Sequence, residues 1–189
     1  SHAWSVSGFW AAGDVAKPDD RLWTDLAATV AWTAASPSAE GSVAYLGNVM
    51  SGRFGIGGDV GSLAPFEAAG SGSGRVTRGT LLVGPGTARS SSSNTTGVQL
   101  GALSSTQKMW CALHVCSVSG SSPTVVAKLQ SASTQGGSYT DRVTFSSANS
   151  VSSQLSSVSG AVTDTWWRVA WTLGGSSPSF LLAVAAGIA

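Results

Sequence analysis

The four residues Gly120-Ser121-Ser122-Pro123 recur 55 positions later as Gly175-Ser176-Ser177-Pro178. Each copy stands between two apolar runs. Trp110 to Val118 precedes the first and Thr124 to Leu129 follows it; Trp166 to Leu173 precedes the second and Ser179 to Val184 follows it. Gly, Ser and Pro punctuate strands because they satisfy the backbone angles of a turn. The repeat therefore predicts two strand–turn–strand units. A chain that ends in two long antiparallel hairpins is committed to a β architecture.

The rest of the chain extends that pattern. Trp4 to Trp10 alternates as a strand, and so does Val43 to Val49. Ser62 to Ala69 and Val76 to Val83 read as a strand pair around the flexible Gly70-Ser71-Gly72-Ser73-Gly74 segment. Ser51 to Gly61 is a glycine-dense bend, and Ala88 to Thr96 a serine-rich loop. Strands follow at Val98 to Leu103, Arg142 to Phe145 and Ser152 to Val158. One helix is expected over residues 18–29. Pro18-Asp19-Asp20 places acids in its first turn, where the helix dipole favours them, and Leu22, Trp23, Leu26 and Val30 follow at helical spacing. The expectation is a mainly β chain of about ten strands, an antiparallel sandwich or barrel with one short α-helix. It is one domain, 1–189, with a helix-containing part at 1–84 and a double-hairpin part at 98–189.

Charge narrows the possible partners. Only 10% of the 189 residues are charged and the formal net charge is +1, against about 25% charged residues in an ordinary soluble domain. Ser, Thr, Gly and Ala take the place of the missing charges. Such a surface suits stacking against copies of itself. The basic residues are scattered singly, which disfavours a sequence-independent grip on nucleic acid. No apolar run reaches the roughly 20 residues of a membrane helix, and no membrane partner is expected.

No catalytic constellation emerges, so the chain is read as a non-enzyme without cofactor or metal. Cys111 and Cys116 lie five apart in one strand, on opposite faces and about 17 Å apart at ~3.3 Å per residue, too far for a disulfide. They are expected to be free thiols. His114 shares a face with Cys116 alone, and two ligands are too few for a structural zinc site. It is expected to be a hydrogen-bonded histidine in a sheet. Gly55-Ile56-Gly57-Gly58-Asp59-Val60-Gly61 lacks the Lys-Ser/Thr pair of a phosphate loop. Of the adjacent Trp166 and Trp167, one faces inward and one outward, with Trp171 on the face of Trp167. An outward tryptophan on a β sheet can stack on a sugar ring, so a carbohydrate-binding module is the alternative from another class.

The order of the motifs carries a resemblance. Val6-Ser7-Gly8-Phe9-Trp10, Leu22-Trp23-Thr24-Asp25-Leu26 and Gly41-Ser42-Val43-Ala44-Tyr45 come first. Gly61-Ser62-Leu63-Ala64-Pro65-Phe66, Arg78-Gly79-Thr80-Leu81-Leu82 and Val98-Gln99-Leu100-Gly101-Ala102 follow. Leu113-His114-Val115, Arg142-Val143-Thr144-Phe145, Asp164-Thr165-Trp166-Trp167-Arg168-Val169 and Gly175-Ser176-Ser177-Pro178-Ser179-Phe180 close the series. In this order the chain resembles the major tail (tail-tube) proteins of long-tailed bacteriophages, and more broadly phage virion structural proteins. The resemblance implies a β sandwich that forms six-membered rings, stacked into a tube around a tape-measure protein and closed by a tail terminator. Such a tube conducts phage DNA without holding it; the protein is assembled in the host cytoplasm and resides in the virion. Capsid decoration and a minor tail role belong to the same class. The tail-tube fold implies several strands before its helix, whereas only about seventeen residues precede it here. That departure means either a truncated front or a variant topology. Candidate inter-subunit or lumen residues are Arg53 and Asp59 in the glycine-dense stretch, and Glu67. An acid such as Asp59 or Glu67 would become a repelling ring once symmetry multiplied it.

Overall fold

The two Gly-Ser-Ser-Pro copies do not close hairpins. Each lies in the middle of one very long strand, and the two strands face each other. The computed structural model describes residues 2–9, 28–57, 64–72 and 74–189. Among them the chain is mainly β with antiparallel pairing, and the sheet is not closed into a barrel. The strands are β1 (His2–Phe9), β2 (Thr29–Ala35), β3 (Val43–Ile56), β4 (Pro65–Gly72) and β5 (Thr77–Val83). Three two-residue strands follow, β6 (Ala88–Arg89), β7 (Ser93–Asn94) and β8 (Val98–Gln99). Then come β9 (Lys108–Ala132), β10 (Thr140–Thr144), β11 (Ser152–Ser159) and β12 (Trp166–Ile188).

β9 and β12 pair from Trp166 opposite Ala132 to Ile188 opposite Met109. Ser176 stands opposite Ser121, so the pairing exchanges the two copies of the repeat. Positive φ at Gly120 (118°) and Ser122 (48°), and at Gly175 (95°) and Ser177 (48°), breaks the pleat at the same place in both strands. Pro123 and Pro178 have no N–H to give the ladder. The register shifts at Gly174/Ser176 and Ser176/Ser179 are the resulting bulges. A turn and a facing pair of bulges share one local signature, and only the choice of partner strand distinguishes them.

The chain divides into two units, residues 31–46 with 77–189 and residues 1–30 with 47–76. In the larger unit β9 and β12 are the spine. β11 and β10 pair with the first and last parts of β9, while β5, β6, β7 and β8 pair with successive parts of β12. The segment Ala88 to Thr96, expected as loop, thus contributes two short strands. The alternation that suggested strands also sets the core. Met109, Leu113, Val125 and Leu129 of β9 and Trp167, Val169, Phe180 and Leu182 of β12 belong to one buried cluster. Both halves of each long strand therefore serve the same core. A second cluster lies on the opposite side of β9 and β12. It contains Ala112 and Ala185, directly paired, with Ala44, Leu46 and Leu81. One polar group of the larger unit is stapled in place: Arg142 Nε donates to Ser131 Oγ (2.8 Å), Ser131 Oγ donates to Asp164 (2.7 Å), and Arg142 Nη2 reaches the same carboxylate at 3.0 Å.

The smaller unit pairs β4 with β1 on one side and with the second part of β3 on the other. Two aromatic rings of this unit lie over glycines of the neighbouring strand. A Cβ on Gly8 would stand 2.8 Å from Phe66 Cε1, and one on Gly70 would stand 2.6 Å from Trp4 Nε1. Gly8 makes room for the Phe66 ring, and Gly70 for the Trp4 ring and the Met50 carbonyl. This corrects the expected Ser51–Gly61 bend, because Ser51–Ile56 continues β3. The expected linker is corrected as well: Gly70-Ser71-Gly72 is the end of β4, and β4 does not pair with β5.

No helix occurs among the described residues. Residues 18–27 of the expected helix lie outside them. Its expected end is corrected: Thr29 opens β2, and Val30, assigned to the apolar stripe, is the second residue of that strand. The β-branched Thr29, Val30 and Thr33 favour an extended backbone over helical continuation.

Candidate assembly surface

Of the three candidate contact residues, the structure brings two together. Arg53 on β3 and Glu67 on β4 are diagonal neighbours, two residues apart in register, with Arg53 opposite Ala69 and Gly55 opposite Glu67. Arg53 Nη2 is 3.8 Å from Glu67 Oε2, and both side chains are largely in solvent. An exposed pair at that distance contributes under about 1 kcal/mol, so both groups keep most of their capacity to bond elsewhere. They line an open depression of about 430 Å³ with Ser7, Ile56, Pro65 and Phe66. Asp59 lies outside the described residues.

The smaller unit also leaves apolar side chains in water. Phe9 is 67% exposed, Ile56 47% and Val6 44%, and Met50 is exposed as well. In the larger unit Val43 and Tyr45 of β3 are exposed and line a second open depression with Ala34, Ala35 and Ser36, about 310 Å³ in volume. The alternation of Val43 and Tyr45 announced a shared face in the sequence. That this face points to solvent was not legible there.

A third depression, of about 290 Å³, holds the histidine and the exposed thiol. Thr33, Ala35, Ser38, Leu81, Pro85, His114, Cys116 and Ala183 line it. His114 Nε2 is 2.9 Å from Thr33 Oγ1, which ties β9 to β2. The expected hydrogen-bonded histidine is therefore found. Burial lowers its pKa to about 4. In the unfolded chain the imidazole titrates near its ordinary ~6.5, so the unfolded state binds the proton first. Stability from this group is complete above about pH 6.5 and falls as the pH drops towards about 4. The loss is expected to approach, and not exceed, about 3 kcal/mol. Urea midpoints measured from pH 7 to pH 4 should fall for the wild type and stay nearly level for His114→Gln; parallel slopes in the two proteins would refute the assignment. Asp141 and Asp164 act in a separate window. Hydrogen bonds, from Lys128 first for Asp141 and from Ser131 first for Asp164, hold both carboxyls below the usual 3.8. Their contribution is lost only at more acid pH.

Cys111 is fully buried and Cys116 exposed, and both are free. Burial pushes both thiols up. An alkylating reagent at neutral pH is expected to modify Cys116 slowly and Cys111 only after denaturation. Modification of both at equal rates in the native protein would show that the core around Cys111 opens readily. Among the described residues no three His, Cys, Asp or Glu side chains are grouped to hold a metal, and no helix is long and apolar enough to cross a membrane.

The tryptophans divide as the alternation required. Trp167 and Trp171 are buried, and each indole N–H donates to a carbonyl, Gly101 O at 2.8 Å and Ser91 O at 2.9 Å. Trp166 is half-buried on the other face. That face carries a polar row across three elements. Lys128 and Gln130 each donate to Asp141 at 2.6 Å, and Arg168 Nε donates to Gln130 Oε1 at 2.8 Å. The guanidinium of Arg168 also lies 4.0 Å from the centre of the Tyr139 ring, within cation–π range. No spacing rule in the sequence announced this row, because register between distant strands creates it. The basic residues are otherwise dispersed: Arg53, Arg89, Lys128 and Arg142 are each beside an acid. No protein-family model matches the chain, and no curated protein sequence matches it.

Proposed function

We propose that the chain is a self-assembling structural subunit, and that its role is that of a tail-tube protein in a long-tailed phage. The observation that carries this reading is the sparsely charged surface of the smaller unit, with Phe9, Ile56, Val6 and Met50 left in water. By register Phe9 and Met50 stand on the face of Glu67, and Val6 and Ile56 on the other, so both faces of this sheet offer apolar area that another protein can cover. The motif order supports the phage assignment over other assemblies. In this role the chain is a β sandwich whose copies form hexameric rings. The rings stack around a tape-measure protein, end at a tail terminator and pass DNA. The protein is part of the virion and performs no catalysis. Arg53 and Glu67 would exchange their weak mutual pair for contacts with a neighbour. Dispersed cations, four of them beside an acid, support a lumen that lets duplex pass, since a strong grip needs several phosphates neutralised together. Decoration of a capsid or a minor tail position would use the same surfaces.

Sedimentation velocity over rising protein concentration, followed by negative-stain microscopy, tests the reading. Rings or tubes are expected, with no duplex binding at physiological salt. A monomer at every concentration would overturn it, and micromolar, salt-sensitive DNA binding by the assembly would overturn the passive-conduit part.

A second reading is favoured by the row Asp141, Gln130, Arg168 and Tyr139 beside Trp166. Planar polar groups next to an aromatic ring on a sheet face suit a sugar ring. Retardation of the protein in polysaccharide-containing gels, abolished by Trp166→Ala, is the expected result under that reading.

A further inference from the structure

The edge strands of the fold are built differently, and the difference suggests how copies join. Among the described residues, β1, β2, β10 and β11 are the strands longer than two residues that pair with one neighbour, β4, β3, β9 and β9 respectively. An open edge presents unpaired N–H and C=O groups to any passing strand, and proteins guard such edges with charge, bulges or short length. β10 is guarded on all three counts. It has five residues, carries Asp141 and Arg142, and shifts register between Asp141 and Val143. β2 is uncharged and has seven residues; β1 and β11, the longest of the four, have none of these guards. Each is eight residues long, each pairs with its neighbour without a register shift, and neither contains a Lys, Arg, Asp, Glu or Pro. Apart from their ladders to β4 and β9, neither strand makes a backbone hydrogen bond within the described residues.

We propose that β1 of one copy adds to β11 of a second copy, antiparallel or parallel, so that the two sheets continue into each other. This deepens the assembly reading and rests on it. The occupant is a second copy of this chain because both halves of the contact are present on one molecule, equal in length and equally uncharged. An uncharged edge supplies main-chain hydrogen bonds and no charge to repel its own kind, which is the chemistry of strand addition. A contact between two different edges is heterologous. It leaves a free β1 at one end and a free β11 at the other, so growth continues until a ring closes or a filament forms. A β1-to-β1 contact would stop at a dimer.

Blocking one edge at a time tests the proposal. Lysines at Ser5 and Ser7 (S5K/S7K) guard β1, with Ser7 opposite Glu67 so that the new charge has a partner within the fold. S157K guards β11. Each variant alone is expected to raise the concentration needed for self-association at least about tenfold, the equivalent of one or two lost ladder bonds. Mixed one to one, the two variants are expected to form a dimer that grows no further, since each supplies the edge the other lacks. If the variants assemble like the wild type, strand addition is overturned while the assembly reading stands. If S157K assembles normally and only S5K/S7K fails, the contact is β1 to β1 and the proposal is overturned. If the wild type never leaves the monomer, both fall. Hydrogen exchange on the wild type makes the test independent of variant folding. Amides of β1 and β11 should become protected together as the protein assembles, and unchanged exchange in either strand would overturn the pairing.

Discussion

The Gly175→Ala protein is expected to lose about 2–5 kcal/mol of stability. Gly175 has φ 95°, a conformation that costs an L side chain about 1–2 kcal/mol. The new methyl would also stand 2.5 Å from Ser122 O, 2.7 Å from Ser121 O and 2.9 Å from Ser122 C. All three atoms are backbone of the facing copy of the repeat, held by the β9–β12 ladder, so they cannot swing aside. Overpacking of this kind adds roughly 1–3 kcal/mol. Gly120→Ala should behave alike, because its Cβ would meet Ser177 O at 2.7 Å and Ser176 O at 3.0 Å. Gly86 is the control: nothing lies within 4 Å of its Cβ, and alanine there should change stability little. Urea titrations of the three variants give the comparison. Equal, small losses at Gly175 and Gly86 would mean that the two copies do not face each other, and would restore the pair of separate hairpins.

Trp167→Ala is expected to cost about 3–5 kcal/mol, the range for deleting a large buried aromatic side chain. Trp167 is wholly buried in the cluster shared by both halves of the long strands, and its indole N–H holds Gly101 O at 2.8 Å. Alanine would leave a cavity between β9 and β12 and remove the donor from a carbonyl of the preceding loop. Trp166→Ala, one residue away on the half-buried outer face, should cost far less. The ratio of the two losses is the informative quantity. Similar losses at both positions would mean that the face of Trp166 is covered as thoroughly as that of Trp167.

Both variants probe features that differ in how far the sequence announced them. That Trp167 and Trp171 share a face opposite to Trp166 followed from alternation, since side chains two or four apart in a strand must share a face; that theirs is the inward face was decided by the packing. The separation of Cys111 from Cys116 followed in the same way, and so did the hydrogen-bonded place of His114 in a sheet. The hairpin expectation failed at the same motif that identified the β architecture. Gly-Ser-Ser-Pro specifies positive φ and a gap in the ladder, and both a turn and a facing bulge meet that specification.

The sequence by itself determined the local alphabet: mainly β structure, which residues of β9 and β12 share a face, free cysteines and a surface with few charges. These depend on period, residue chemistry and spacing along one strand, which neighbours in the chain control. The tertiary structure alone decided that the repeats oppose each other, that Arg53 meets Glu67, that Lys128, Gln130, Asp141 and Arg168 form a row, and that among the described residues β1 and β11 have one partner strand each and no guard while β10 is guarded. Each of these is a matter of which strand lies beside which, and in what register. A strand presents the same backbone donors and acceptors to every partner of suitable length. The choice among partners is therefore made by the packing of the whole core around Trp167, Phe180 and Leu113, and no single segment encodes it.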